Sequence, residues 1–142
     1  MSIDLAVTEL EKIVNDALPS TYIQWENRSK VPPANVIYVA PRVLPGAVTP
    51  FSLGFYNAAG VWSSQELTLE VRIITPEGKG TKTAYSIAET LTQAARAAAT
   101  ITMDGRNCLH LISPSSLIVL GQDDTNSHVM IHNTLYRYSR RG

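Results

Sequence analysis

Between Ile3 and Ala17 the apolar residues Ile3, Ala6, Val7, Leu10, Ile13, Val14 and Ala17 recur every three or four positions. That spacing lines up one face of an α-helix. Glu9, Lys12 and Asp16 lie off the stripe, Ser2 can cap it, Asp4 sits in the first turn where the helix dipole favours an anion, and Pro19 stops it. From Tyr22 the pattern becomes extended, predicting strands at Tyr22–Glu26, Val36–Val43, Phe51–Ala58 and Val61–Ile74 between prolines and glycines. In the last of these, Leu67, Leu69, Val71 and Ile73 alternate with Glu66, Thr68, Glu70 and Arg72, so one face is buried and one is wet. A second helical stripe follows in Ala84, Ile87, Ala88, Leu91, Ala95 and Ala98, opposed by Lys82, Ser86, Glu89, Gln93 and Arg96. Two further strands, about Cys108–Leu120 and Ser127–Tyr138, are joined by GQDDTN at Gly121–Asn126. The order α-β-β-β-β-α-β-β predicts an α+β fold over residues 1–142: a largely antiparallel β-sheet covered by two α-helices in one domain.

Composition narrows the partners. Over 142 residues, twelve Lys and Arg balance twelve Asp and Glu, so no global field draws the chain to nucleic acid or to an anionic membrane. The lone Cys108 excludes an intrachain disulfide or a Cys-rich zinc site and reads as a small buried apolar residue. Apolar runs fall short of the roughly 18 residues a membrane span needs. The acidic, periodic MSIDLAVTELEKIV does not read as a secretory signal. The expectation is a chain made and kept in a cytoplasm unless it leaves within a larger object.

The segment RIITPEGKGTKTAYSIAETL, Arg72–Leu91, joins a strand, a Gly-Lys-Gly turn and a helix, the parts of a phosphate-binding loop. Aligning that motif on Lys79 puts Ile73 where its first glycine belongs and Gly80 where its magnesium-binding hydroxyl belongs. A β-turn over TPEG, with Thr81 or Thr83 capping the helix, accounts for the same residues. His128 and His132 share a strand face but stand about 13 Å apart along the backbone, too far to hold one zinc together easily. Asp123 and Asp124 lack the alternating oxygen ligands of a calcium loop, and SPSS around Pro114 lacks a nucleophile-elbow pattern. No catalytic, cofactor-binding or metal-binding residue is assigned, and no small-molecule substrate or membrane partner is expected.

Two segments point to surfaces instead. LPGAVTPFSLGF, Leu44–Phe55, crowds apolar side chains into an uncharged, Pro- and Gly-punctuated hairpin. It either folds back over an open sheet face or forms an interface that orders on assembly. The candidate subunit contacts are Arg42, Leu44, Val48, Phe51, Leu53, Phe55 and Trp62. The tail YRYSRRG sets Arg137, Arg140 and Arg141 among Tyr136 and Tyr138, and is read either as a frayed, solvated end or as a contact to a nucleic-acid backbone.

The order of signals resembles the tail terminator proteins of long-tailed bacteriophages, of the lambda type. The resemblance runs through the first helix, IQWEN at Ile23–Asn27, VPP at Val31–Pro33, IYV at Ile37–Val39, GVW at Gly60–Trp62 and TPEGKGTKTAYSIAETL at Thr75–Leu91. It departs at AARAAAT, Ala94–Thr100, where a larger apolar residue and a short turn are expected. The resemblance implies a homo-hexameric ring on the head-proximal end of the tail tube. Such a ring binds the major tail tube protein, stops its polymerisation, offers a docking surface to the head-completion or connector protein, and passes DNA only as cargo through its bore. It carries no catalytic motif across. The residues leave three alternatives: another neck or minor tail structural protein, a small nucleotide-binding enzyme using Gly78–Thr81, and a DNA-binding module using the basic tail.

Overall fold

Helix α1 (Asp4–Ala17) forms where the first stripe predicts it and buries Ala6, Leu10 and Val14. Ile3 occupies its N-terminal cap position without a side-chain cap, Thr8 Oγ1 donates to the Asp4 carbonyl, and the Leu18 N–H closes the helix on the Val14 carbonyl. Ser2, the expected cap, lies outside the described residues: the computed structural model describes residues 3–26, 32–50, 62–104, 107–113, 115–123 and 126–141.

The fold is mixed α+β, with two helices and a curled sheet of seven strands among the described residues. The strands are β1 (Tyr22–Ile23), β2 (Tyr38–Pro50), β3 (Trp62–Thr75), β4 (Thr100–Asp104), β5 (Asn107–Leu111), β6 (Ser116–Gln122) and β7 (His128–Arg141), with α2 (Lys82–Ala97) between β3 and β4. Across the sheet the order is β1-β2-β3-β7-β5-β4, and β6 also pairs with β7. All pairs are antiparallel except β1 with β2. β7 therefore carries two short strands on one edge: β6 along His128–Asn133 and β5 along Tyr136–Arg140.

This arrangement corrects the expected order α-β-β-β-β-α-β-β: three strands precede α2 among the described residues and four follow it. Phe51–Ala58 lies outside the described residues. The segment expected as Cys108–Leu120 divides into β5 and β6, and Ser115 Oγ at the break sits 3.0 Å from Thr134 Oγ1. The expected Tyr22–Glu26 shrinks to two residues, and β4 was not expected at all. Asn126 takes a left-handed conformation (φ 62°) in the β6–β7 connection, where the Asp123 N–H donates to the Ser127 carbonyl.

β2 contains Pro41, which lies inside the expected strand Val36–Val43, and continues through Pro45, where the sequence predicts a break. The Val39 carbonyl accepts from the Gln24 N–H, on the side away from β3. Backbone groups alternate sides along a strand, so the nitrogens of Pro41 and Pro45 also face away from β3. Their missing N–H groups cost the β2–β3 ladder nothing. The register shifts between Pro45 and Val48. At that bulge Gly46 comes so close that an added Cβ would lie 3.1 Å from the Glu66 carbonyl oxygen.

The alternation of β3 sets the core. Leu67, Leu69, Val71 and Ile73 stand opposite Tyr136, Thr134, His132 and Met130 of β7, and directly paired residues share a face. These β3 side chains, with Val39, Leu109, Met130, Tyr136 and Tyr138, form one apolar cluster with Ala6, Leu10, Val14 and Leu18 of the first helix region and Ala84, Ile87, Ala88 and Leu91 of α2. The alanines of α2 bring its backbone near the strands. Tyr136, wholly buried, donates its hydroxyl to the Ala98 carbonyl at 3.4 Å.

Candidate assembly surfaces

Arg42 lies on β2 directly opposite Glu70 of β3, and its Nε donates to Glu70 Oε1 at 2.9 Å. Arg72 Nε reaches the same oxygen at 3.4 Å. Glu70 is buried while both guanidinium groups stay largely in water. The hydrogen bond and charge of Glu70 raise the Arg42 pKa above its ordinary value. Arg42 is thus a partner to a buried carboxylate, whatever else it contacts.

Leu44 and Val48 follow on β2, 38% and 49% exposed. Trp62 opens β3 opposite Arg141, and Ser63 stands opposite Arg140. Phe51, Leu53 and Phe55 lie outside the described residues. The C-terminal segment is not a frayed end: β7 continues through Arg141, and Arg137 is exposed across from Glu66 on β3 and His110 on β5. Across β3, Leu44 is therefore level with Leu135 and Val48 with Tyr138, towards the end of the sheet where the backbones of Arg140 and Arg141 run, whereas Arg42 is level with Asn133 nearer the middle.

The turn between β3 and α2 is one residue later than expected. The Lys79 N–H donates to the Pro76 carbonyl at 3.3 Å and Gly78, third in the turn, has φ 84°, a value that position favours in glycine. Thr81 holds the helix cap position but makes no side-chain cap bond. The amide of Lys79, central to any phosphate reading, is thereby occupied.

His132 is 1% exposed and its Nε2 lies 2.9 Å from Thr92 Oγ1. Thr92 gives its own hydroxyl proton to the Ala88 carbonyl, so its oxygen accepts from His132 Nε2–H. Nδ1 is then the bare acceptor, and it has no protein partner among the described residues. Burial lowers the pKa of this imidazole to about 4, keeping it neutral. The pair ties α2 to β7 at the floor of an open groove of about 400 Å³, whose walls include Tyr85, Glu89, Arg96 and Leu117. Cys108 is half-buried, not wholly buried as expected; its Sγ lies 3.2 Å from His110 Nε2, and burial pushes the thiol pKa up. Among the described residues no three His, Cys, Asp or Glu side chains gather as a metal site requires, and no helix is long and apolar enough to cross a membrane.

The sequence places most of β6 in one strand with β5 and does not indicate how exposed it is. Leu117, Ile118, Val119 and Leu120 are between 37% and 56% exposed, although four large apolar residues in a row read as a strand buried on both faces. Among the described residues, β6 pairs only with β7.

No family model and no curated protein matches this chain. A solved structure known only by a sequence identifier is similar to it, with a TM-score of 0.71 and 22% identity over 97% of this chain and 96% of that one. That likeness covers the fold along nearly the full length of both chains.

Proposed function

We propose that this chain is a phage tail terminator, a structural subunit that forms a homo-hexameric ring on the head-proximal end of the tail tube. The observation that supports a ring-forming subunit is where its exposed apolar residues fall. Of the nine large exposed hydrophobic side chains among the described residues, Val36, Leu44 and Val48 lie at or beside β2, while Tyr85, Ile112 and Leu117–Leu120 lie at or beside β6. Both groups sit at the lateral edges of the sheet, where a subunit with neighbours on either side needs contact area. The choice of tail terminator among such subunits comes from the resemblance in segment order.

In this reading the two helices cover one face of the sheet. One ring face repeats the contacts of the tube and binds its last layer, while the other lacks the patch that would accept another tube subunit and instead receives the head-completion protein. Growth stops because the next contact is missing. The chain acts through shape and transforms no substrate, and Arg137, Arg140 and Arg141 contact DNA passing through the bore. Its place is the tail of the virion, reached from the host cytoplasm during assembly.

Electron microscopy of a phage lacking this chain tests the proposal. The expected result is tails of irregular length that are not joined to filled heads, with restoration when the chain is supplied in trans. Tails of normal length joined to filled heads would overturn it.

A further inference from the structure

The two lateral edges differ in chemistry. Pro41 is buried, and beyond it the outer edge of β2 presents the backbones of Val43 and Pro45, so Val43 supplies its one N–H while both carbonyls remain. Among the described residues, β1 pairs with Tyr38 and Val39 alone, and Glu26 lies near Pro41–Val43, while Leu44 and Pro45 beyond them are exposed. The β6 segment Ser116–Gln122 holds neither proline nor charge, so its outer edge keeps every donor and acceptor. One edge is rich in acceptors and poor in donors; the other has both.

An unprotected apolar edge strand invites pairing with another chain, and proline on an edge discourages it. Two β2 edges pair poorly with each other, because both are short of donors. Two β6 edges can pair across a two-fold axis, but that leaves Leu44 and Val48 of both copies in water. Contact between β6 of one copy and β2 of the next covers both apolar groups in every copy. It also supplies β6 N–H groups to the carbonyl that Pro45 leaves unmatched. The edges are separated within one chain by β3 and β7, about 14 Å of sheet at the usual strand spacing, so one copy cannot join its own.

Resting on the ring reading above, we propose that the subunit contact is heterologous: the β6 edge of one copy, through Leu117–Leu120, docks on the β2 edge of a second copy at Leu44 and Val48. Repetition of a head-to-tail contact closes a ring when its rotation allows. The occupant of each edge is the opposite edge of the same polypeptide. Tyr85, in the groove wall beside Leu117, extends the patch on the β6 side.

The test uses the full chain with Cys108→Ser, carrying Val48→Cys, Ile118→Cys or both, treated with a short bismaleimide, alone at high concentration and with isolated tail tubes. Sedimentation is recorded in parallel. The expected result is a cross-linked dimer when the two single variants are mixed, none from either single variant, and a ladder ending at the ring size from the double variant. Cross-linking of Ile118→Cys with itself overturns the inference in favour of two-fold pairing. A ring in sedimentation without the mixed cross-link overturns the inference and leaves the ring reading standing. A monomer in every condition overturns both. Ile118→Glu provides a second measurement: because the side chain is exposed, thermal unfolding stays within a few degrees of wild type while ring formation is lost, and a ring that survives this charge also overturns the proposal.

Discussion

His132 carries a pH dependence that can be worked out from its surroundings. It lies on the helix-facing side of β7, opposite Val71 of β3 and Leu117 of β6, with Thr92 of α2 on its Nε2. Neither strand neighbour offers charge to hold an imidazolium. The folded pKa of about 4 lies below the ordinary 6.5, so below pH 6.5 the unfolded chain binds a proton that the folded chain refuses. Stability from this group is complete above pH 6.5 and is lost progressively as pH falls towards about 4. At about 1.4 kcal/mol per pH unit, the loss reaches about 3 kcal/mol as an upper value, because the groove beside the ring admits water. Urea unfolding of wild type and His132→Gln, followed by tryptophan fluorescence at intervals from pH 7 to about pH 4, isolates the effect, since carboxylate titrations common to both cancel in the difference. The stability advantage of wild type should shrink by up to about 3 kcal/mol across that interval. A constant difference between the two proteins would refute the burial argument.

Other perturbations test the packing and the ion pairs. Leu10→Ala removes a wholly buried side chain from the first helix and should cost about 2–5 kcal/mol in chemical denaturation; a loss below 1 kcal/mol would show that the α1 contact with the core is loose. Tyr136→Phe deletes the hydroxyl bonded to the Ala98 carbonyl and should cost about 0.5–1.5 kcal/mol. In wild type, burial holds this phenol protonated up to about 12, so alkaline spectrophotometric titration should show one fewer late-ionising tyrosine in the variant. For Glu70, Arg42→Ala and Arg72→Ala should each be tolerated because the other guanidinium remains, while the double variant strands a buried carboxylate and should lose more stability than the two singles together. Additive losses in that double-mutant cycle would mean the carboxylate is solvated independently of either arginine.

The parts of the fold legible in the sequence are those where burial follows a simple period. Both helices lie where their apolar stripes place them, and the alternation of Leu67, Leu69, Val71 and Ile73 identifies the inward face of β3. β4 escaped notice because AARAAAT carries no residue that stops a helix, and the change to strand is made by pairing with β5, a contact distant from local propensity. The tail was misread for a related reason. Tyr136 and Tyr138 alternate with the exposed Arg137 as a strand should, but the concentration of arginines at the end of the chain resembled solvated sequence.

The remaining failures share a location, and their location is informative. Pro45 looks like a break only if every strand nitrogen must donate, an assumption that fails at a lateral edge. Leu117–Leu120 looks buried only if both faces of its strand have company, which fails for β6 within a single copy. The first case is an edge whose sequence resists pairing; the second is one whose sequence demands it. A natural sequence tends to agree with its structure at every level, and conflict is expected where function imposes another requirement. Here the periodicity describes the interior well and disagrees with the isolated chain along its sides. The disagreement disappears if the structure to which that sequence is matched contains more than one copy, because β6 then acquires the second neighbour its composition calls for.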